Sequence, residues 1–463
     1  MKRILSFQLQ RLGLVMILGL FSTSLLAQAG YSNAGIALGK ERARRGQLPK
    51  PEEVVVEEFM NYHLHDLPIP STQDRIHLDV QIAAGDQPRE AVIQVGLSTA
   101  FLNGLVGAPP LNISLVVDRS GSMSSENRMV KAREALCTLL GQLRPTDRVS
   151  LVAFDDRVEP LFPSQLIGNG QGLRQAIDRL APRGSTNLQA GITEGYRQVV
   201  QHYSTERTQR VLILTDAIAN TGLVDPIQIA QRSMQFEDDW QVDCAMICVG
   251  SGFAHQVARN FSEYGKTSFH FIDDSEDLRK VFVSEVQSLL APLGNKARIK
   301  ISLTGADWQQ TYGYESPRSR SWNLSLNDLN HGLTQIFMAE VQVLQAKHAR
   351  IEVAFTYYDY REQRTRTIKQ FHKLGSMQEA MSLDMKKNYR ISYLAHALEA
   401  SAHLFQGQQH AQAQAVLRQA LQRPKHGSLH TDQDIHRVEN ILSAYVQTLD
   451  DYLVQEDRDL GNW

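Results

Sequence analysis

Five side chains that could ligate a hard cation occur at three places along the chain. They lie in an Asp-Arg-Ser-Gly-Ser loop, in a Gly-Ser-Thr loop and directly after an apolar run: Asp118, Ser120, Ser122, Thr186 and Asp216. All five offer oxygen atoms, which are the ligands that Mg²⁺ and Mn²⁺ prefer in proteins. The pattern therefore predicts a divalent-cation site.

The charge of this ligand set predicts how a bound cation would behave. Three neutral hydroxyls and two carboxylates leave a divalent cation incompletely neutralised if the carboxylates act through water. Such a cation can accept an Asp or Glu carboxylate from a protein partner. An Asp-x-Ser-x-Ser pattern alone is also typical of a helix cap or a turn. The metal interpretation therefore depends on the two other loops.

The elements that must position these loops alternate between strands and helices from residue 111 to residue 290. Strands that are apolar along their whole length and alternate with helices indicate a parallel sheet covered on both faces. Ligands bind such doubly wound α/β sheets at the carboxyl ends of the strands, where the three loops fall. We predict strands at 112–117, 149–154, 211–214, 244–249 and 268–272, with helices at 129–143, 188–203, 226–233, 257–264 and 275–290.

The flanking regions have different patterns. Residues 76–98 contain two alternating segments around a Gly-Asp-Gln-Pro turn, and residues 297–372 are also β-rich. Both blocks could form one antiparallel, sandwich-like unit with the α/β domain inserted between them. Residues 376–454 carry three helical stripes, which form either a repeat-like binding surface or helices packed on the rest of the protein. Residues 51–62 predict a short acidic helix.

The first 29 residues resemble a secretory leader. Lys2, Arg3 and Arg11 precede an apolar stretch at 12–26, and Ala-Gln-Ala follows it. The alternative is a retained anchor, but the apolar run is shorter than the roughly 20 residues that a spanning helix needs. We expect a signal peptide (1–29), an N-terminal helix and β-rich segment (30–110), the α/β domain (111–292), a β-rich segment pairing with 76–110 (293–375) and a helical region (376–463).

Composition excludes several classes of protein. Removal of the three leader cations takes the formal net charge from −2 to −5, so no nucleic-acid footprint is expected. Cys244 and Cys248 lie four apart in a predicted strand, roughly 13 Å, which is too far for a disulfide. We therefore expect buried free thiols at these positions and at Cys137.

His63 and His65 could pair on a metal, but isolated packing histidines are the simpler interpretation.

The five predicted ligands resemble the metal-ion-dependent adhesion site (MIDAS) of von Willebrand factor type A domains. The resemblance implies that Ser120 and Ser122 ligate directly, Thr186 directly or through water, and Asp216 through water, with Asp118 close by. Segments beginning at residues 31, 46, 56 and 313 are similar to a bacterial family of exported type A proteins, so the resemblance covers roughly residues 31–375. Many relatives have Gly where this chain has Ala217, which puts the neighbouring loop in doubt.

These observations predict an exported, non-enzymatic, adhesion-type protein in the periplasm or at the cell surface. Its Mg²⁺ or Mn²⁺ would bind a partner's Asp or Glu carboxylate, and neither nucleic acid nor a transmembrane segment after leader cleavage is expected. The alternative is a cell-envelope scaffold or assembly factor whose β-rich and helical regions do the binding. A hydrolase is a third class, but Ser120 lacks the Gly-x-Ser-x-Gly elbow of a serine nucleophile.

Overall fold

A computed structural model describes most of the chain. The described residues are 39, 42–43, 45–61, 63, 65–71, 73–100, 109–216, 219–240, 242–249, 268–272, 292–326, 329–374, 380–423 and 427–461. The predicted leader, the predicted helices at 257–264 and 275–290, and Ala217 lie outside them. Among the described residues, no helix is long and apolar enough to cross a membrane.

The described residues form fifteen strands and eight α-helices, with three short 3₁₀ helices. The strands are β1 (Ile76–Ala84), β2 (Glu90–Thr99), β3 (Leu111–Asp118), β4 (Arg148–Phe154), β5 (Val158–Leu166), β6 (Thr208–Thr215), β7 (Asp243–Val249), β8 (Ser268–Ile272), β9 (Pro292–Thr304), β10 (Ala306–Thr311), β11 (Ser321–Ser325), β12 (Leu329–Asn330), β13 (Thr334–Val343), β14 (Arg350–Asp359) and β15 (Arg364–Lys373). The helices are α1 (Val56–Asn61), α2 (Arg128–Leu140), α3 (Gln171–Asp178), α4 (Leu188–Val200), α5 (Pro226–Trp240), α6 (Leu383–Gln406), α7 (His410–Gln422) and α8 (Gln433–Gly461). The 3₁₀ helices are Pro51–Glu53, Gly121–Asn127 and Gly427–Thr431.

Strands β3 to β8 form one six-stranded sheet in the order β5-β4-β3-β6-β7-β8. Every neighbouring pair is parallel except β4 and β5, which are antiparallel. One apolar cluster packs α2 and α3 on one face, and a second packs α4 and α5 on the other. The doubly wound α/β prediction is therefore confirmed, although the edge strand β5 and the short helix α3 were not predicted.

The flanking strands form two antiparallel sheets. One has the order β1-β2-β13-β10, and the other has the order β11-β9-β14-β15, with the short β12 also paired to β9. Strand β2 pairs with β13 over nine residue positions, including Ile93 opposite Ala339. The inner faces of both sheets share one apolar cluster, as in a sandwich. Since β3 to β8 lie between β2 and β9 in the chain, the α/β domain is an insertion in this sandwich, as predicted.

The C-terminal helices pack on the sandwich rather than standing apart from it. Helices α6, α7 and α8 share an apolar cluster with α1 and with residues of β13. Asn388 of α6 donates to Gln94 Oε1 of β2 at 2.9 Å, which adds a buried polar contact between the two regions. The packed arrangement favours the second of the two interpretations of this region. The acidic helix expected at 51–62 is divided into a 3₁₀ turn and α1.

The two histidines of the His-x-His pattern are buried at this junction. His63 Nε2 lies 2.8 Å from Asn388 Oδ1, and His65 Nε2 lies 3.2 Å from Asn61 Oδ1. Their rings meet edge to face at 4.7 Å. Both imidazoles are buried and hydrogen-bonded to asparagine side chains, which favours the packing interpretation. All three cysteines are free, and Cys244 and Cys248 are buried in β7. Cys137 of α2 is only partly buried, so the prediction of a buried thiol was wrong at this position.

Burial of these imidazoles makes folding sensitive to acid. Burial, with Lys387 nearby, lowers the pKa of His63 from 6.5 to about 3. The unfolded chain therefore takes up this proton first as the pH falls. The contribution of the neutral, buried His63 to the free energy of unfolding is complete above pH 6.5. It is lost as the pH falls from 6.5 toward 3. Between pH 6.5 and about pH 5, His63 alone should remove about 2 kcal/mol from the free energy of unfolding.

Urea unfolding at about pH 7.5 and about pH 5 tests this expectation. His63→Gln should lose less stability between the two pH values than the wild type, whatever its stability at the higher pH. His348→Gln is the matched control, because His348 is exposed. An equal acid-induced loss in wild type and His63→Gln would contradict the assignment.

Candidate metal centre

Three loops meet at the carboxyl ends of β3 and β6. Gly121 N donates to Gly184 O at 3.0 Å, which joins the first loop to the second. The amide of Thr186 donates to Asn220 Oδ1 at 2.7 Å, and Asn220 N donates back to Thr186 O at 3.1 Å. Because β3 and β6 are parallel neighbours, Asp118 and Asp216 end up at the same edge of the sheet. The structure thus brings together the loops that carry all five predicted ligands.

Asp118 is fully buried and holds the first loop in place. Its Oδ1 accepts the backbone N–H of Ser120 at 2.8 Å, and its Oδ2 accepts the Thr215 hydroxyl at 2.6 Å. Burial and the neighbouring Asp216 carboxylate raise the pKa of Asp118 to about 6. Both effects oppose the charged form, so a cation at this place would stabilise the ionised carboxylate.

Ser120 and Ser122 present neighbouring hydroxyls. Their Oγ atoms lie 3.0 Å apart, with Ser120 buried and Ser122 partly exposed. The 3₁₀ helix that begins at Gly121 turns the chain here, and the fully buried Met123 fixes it to the core. The loop therefore has one hydroxyl facing the interior and one nearer to solvent.

The hydrogen bonds of the Asp216 carboxylate test whether a cation fits the site. The residue is fully buried, and its Oδ2 accepts from Arg128 Nη1 at 3.0 Å. Its Oδ1 is also buried, but no described residue donates a hydrogen bond to it. Leaving a buried acceptor unsatisfied costs about 1–3 kcal/mol, and more when it is charged. A cation or its water would satisfy this oxygen, so the all-oxygen donor set fits a hard divalent ion that relies on hydroxyls.

A second set of residues supports the loops and was not predicted. Asp155 follows β4 and accepts the Nε–H groups of Arg119 and Arg183, both at 2.7 Å. Burial would raise the pKa of Asp155, but the Arg183 and Arg119 contacts and a backbone hydrogen bond lower it. The backbone N–H of Arg183 also donates to Arg119 O at 2.6 Å. Asp155 follows a buried strand, as Asp118 and Asp216 do, so this position carried a usable signal.

Arg128 and Thr215 are two further residues that sequence reasoning missed. Thr215 is the last residue of β6 and stands one position before a predicted ligand, so its place could have been inferred. Arg128 gave no comparable signal, because its contact with Asp216 spans 88 positions in the chain. Whether the five predicted residues hold a cation stays a prediction.

Comparisons with known proteins agree with this geometry. The family model described as von Willebrand factor type A domain matches residues 113–219. A solved structure titled "von Willebrand factor type A from Catenulispora acidiphila" has a TM-score of 0.50 at 14% identity and covers 81% of this chain and 89% of that one. This likeness shows the fold.

Two curated relatives match by sequence. "Uncharacterized protein YfbK" of Escherichia coli (strain K12) is 25% identical over 315 residues, which are 62% of this chain and 52% of that protein. The inter-alpha-trypsin inhibitor heavy chain H3 of Rattus norvegicus is 30% identical over 132 residues, 27% of this chain and 15% of that protein. The matched part thus spans about half of the first relative and far less of the second. The α/β sheet, its three meeting loops and these matches lead to one conclusion: residues 113–219 form a von Willebrand factor type A domain.

Proposed function

We propose that this protein is an exported, non-enzymatic binding protein. Its type A domain would hold a divalent cation and bind a protein partner through that cation. Type A domain proteins often mediate protein–protein interaction or adhesion. The proposal rests on the buried Asp216 Oδ1, to which no described residue donates a hydrogen bond. Asp118, a second buried carboxylate, lies at the same edge of the sheet. Two buried carboxylates at one edge of a sheet favour a cation over an apolar ligand.

Each residue has a distinct part in this proposal. Ser120, Ser122 and Thr186 would supply hydroxyl oxygens, while Asp118 and Asp216 would supply negative charge. Asp118 also keeps the loop in shape through its bonds to the Ser120 amide and the Thr215 hydroxyl. The cation, Mg²⁺ or Mn²⁺, would supply an electrophile for an Asp or Glu carboxylate of the partner.

The alternative is an envelope scaffold that binds through its sandwich and helical regions. The observation that favours it is the shared core of α1, β13 and the C-terminal helices, which joins these parts into one packed unit. Because the helices cover this core, truncation before residue 376 would expose it and cannot separate the two functions. Sensitivity to chelator does separate them, since only the metal-bridged mechanism needs the cation.

The first prediction concerns the cation itself. Isothermal titration of the chelator-treated protein with Mn²⁺ should show one site, and Ser120→Ala should weaken it by about tenfold or more, because a ligand is lost from a small hard-ion shell. Ser125→Ala is the matched control, since it removes an exposed hydroxyl from the same 3₁₀ helix. Equal Mn²⁺ affinity in wild type, Ser120→Ala and Ser125→Ala would rule out the assigned ligands.

The second prediction concerns the partner. Immobilised protein should retain envelope proteins in Mg²⁺, lose them in EDTA and regain them when Mg²⁺ is added in excess. Thr186→Ala should fail to retain the same proteins, because a ligand of the proposed site is missing, whereas Ser125→Ala should behave as the wild type. Retention of one set of partners by all three proteins, with and without EDTA, would instead support the scaffold.

The third prediction concerns export. The leader pattern at 1–29 should direct a C-terminally tagged chain out of the cytoplasm of a bacterial host. N-terminal sequencing of the exported form should begin at Gly30. Replacing the leader cations Lys2 and Arg3 with Glu should retain the uncleaved chain in the cytoplasm. If the chain with its unaltered leader stayed uncleaved in the cytoplasm, export would be contradicted.

A further inference from the structure

Arg128 occupies a place where a positive charge is unfavourable. It is the first residue of α2, and its side chain is only 7% exposed. The amino end of a helix carries a partial positive charge, so a cation there is destabilising. Burial of a guanidinium adds a further cost unless an anion is paired with it. The position is fixed by Asn127, whose φ of 56° turns the chain from the 3₁₀ helix into α2.

Among the described residues, Asp216 is an anion that pairs with Arg128. Arg128 Nη1 lies 3.0 Å from Asp216 Oδ2, and the Asp216 side chain is fully buried. Asp216 is also one of the five predicted cation ligands. The site therefore contains two buried carboxylates, Asp118 and Asp216, and one buried guanidinium that already bonds to the second of them.

We propose that Arg128 is a positioning residue that sets the cation affinity of the site, because it holds Asp216 in place when no cation is bound and opposes the charge of a cation that enters. This inference rests on the proposed cation site. Its physical basis is that charges interact strongly where water is excluded. The guanidinium of Arg128 changes the net charge of the residues around the cation by one unit.

The proposal has consequences for both states of the site. Without a cation, Arg128 offsets the cost of burying the Asp216 carboxylate. With a cation, the Asp216 charge is shared between the guanidinium and the ion, so the ion is neutralised less and attracts a partner carboxylate more strongly. A site of this kind binds its cation less tightly than the same ligands would without Arg128, and it stays folded when the cation is absent.

Mn²⁺ titration and thermal unfolding of the full chain test the proposal. Arg128→Gln should bind Mn²⁺ about tenfold more tightly than the wild type, because a repelling charge has been removed. In EDTA, Arg128→Gln should unfold at a lower temperature, and added Mn²⁺ should remove most of this difference. Arg174→Gln makes the same change of net charge at an exposed position of α3 and should match the wild type in both measurements.

The outcomes separate this proposal from the function on which it rests. Wild type that binds Mn²⁺, with Arg128→Gln equal or weaker, overturns the role of Arg128 and leaves the cation site standing. Wild type and Arg128→Gln that both fail to bind Mn²⁺ overturn the two proposals together. If Arg128→Gln does not fold, Asp216→Asn and Arg128→Gln/Asp216→Asn carry the comparison, since neither leaves a buried carboxylate unpaired at this position. Loss of the arginine must then tighten Mn²⁺ binding relative to Asp216→Asn, and an unchanged or weaker affinity overturns the role of Arg128.

Discussion

The pairing of β2 with β13 is the constraint on which the sandwich and the C-terminal helices depend. It joins segments more than two hundred positions apart in the chain and runs through positions such as Val95 opposite Phe337. The same two strands contribute to the sandwich core on one face and to the helical cluster on the other. Such long-range contacts are slow to form, because a long loop must close before they stabilise anything. The inserted α/β domain has its own apolar clusters and does not share this requirement.

Within the α/β domain, the site depends on the cost of burying like charges. Asp118 and Asp216 are both fully buried, and the Asp216 carboxylate raises the cost of ionising Asp118. The backbone N–H of Ser120, the Thr215 hydroxyl and the Arg128 guanidinium offset part of that cost. What remains is a pair of buried carboxylates with one oxygen that no described residue satisfies, and this supports the proposed cation more directly than the Asp-x-Ser-x-Ser pattern alone.

Sequence patterns predicted the elements whose apolar residues are continuous or regularly spaced and missed those that lack such a pattern. Strand β3 is buried at every position and was evident from its apolar run. Strand β5 is an edge strand, mostly exposed, and contains Pro160 and Pro163, so it lacks an apolar pattern. His63 and His65 are polar residues that the fold buries by supplying Asn388 and Asn61 as hydrogen-bond partners, and no local pattern reveals such partners. The Arg128–Asp216 contact was hidden for the same reason.

The insertion determines how a force applied to the α/β domain reaches the sandwich. The α/β domain is joined to the sandwich at both ends, after β2 and before β9. Strand β2 is paired on both sides, by β1 and β13, and β9 is paired on both sides, by β11 and β14. These two strands belong to opposite sheets of the sandwich. Tension applied to the α/β domain is therefore divided between two covalent connections. Each connection enters a different sheet through an inner strand, and the hydrogen bonds to the neighbouring strands on both sides resist its removal.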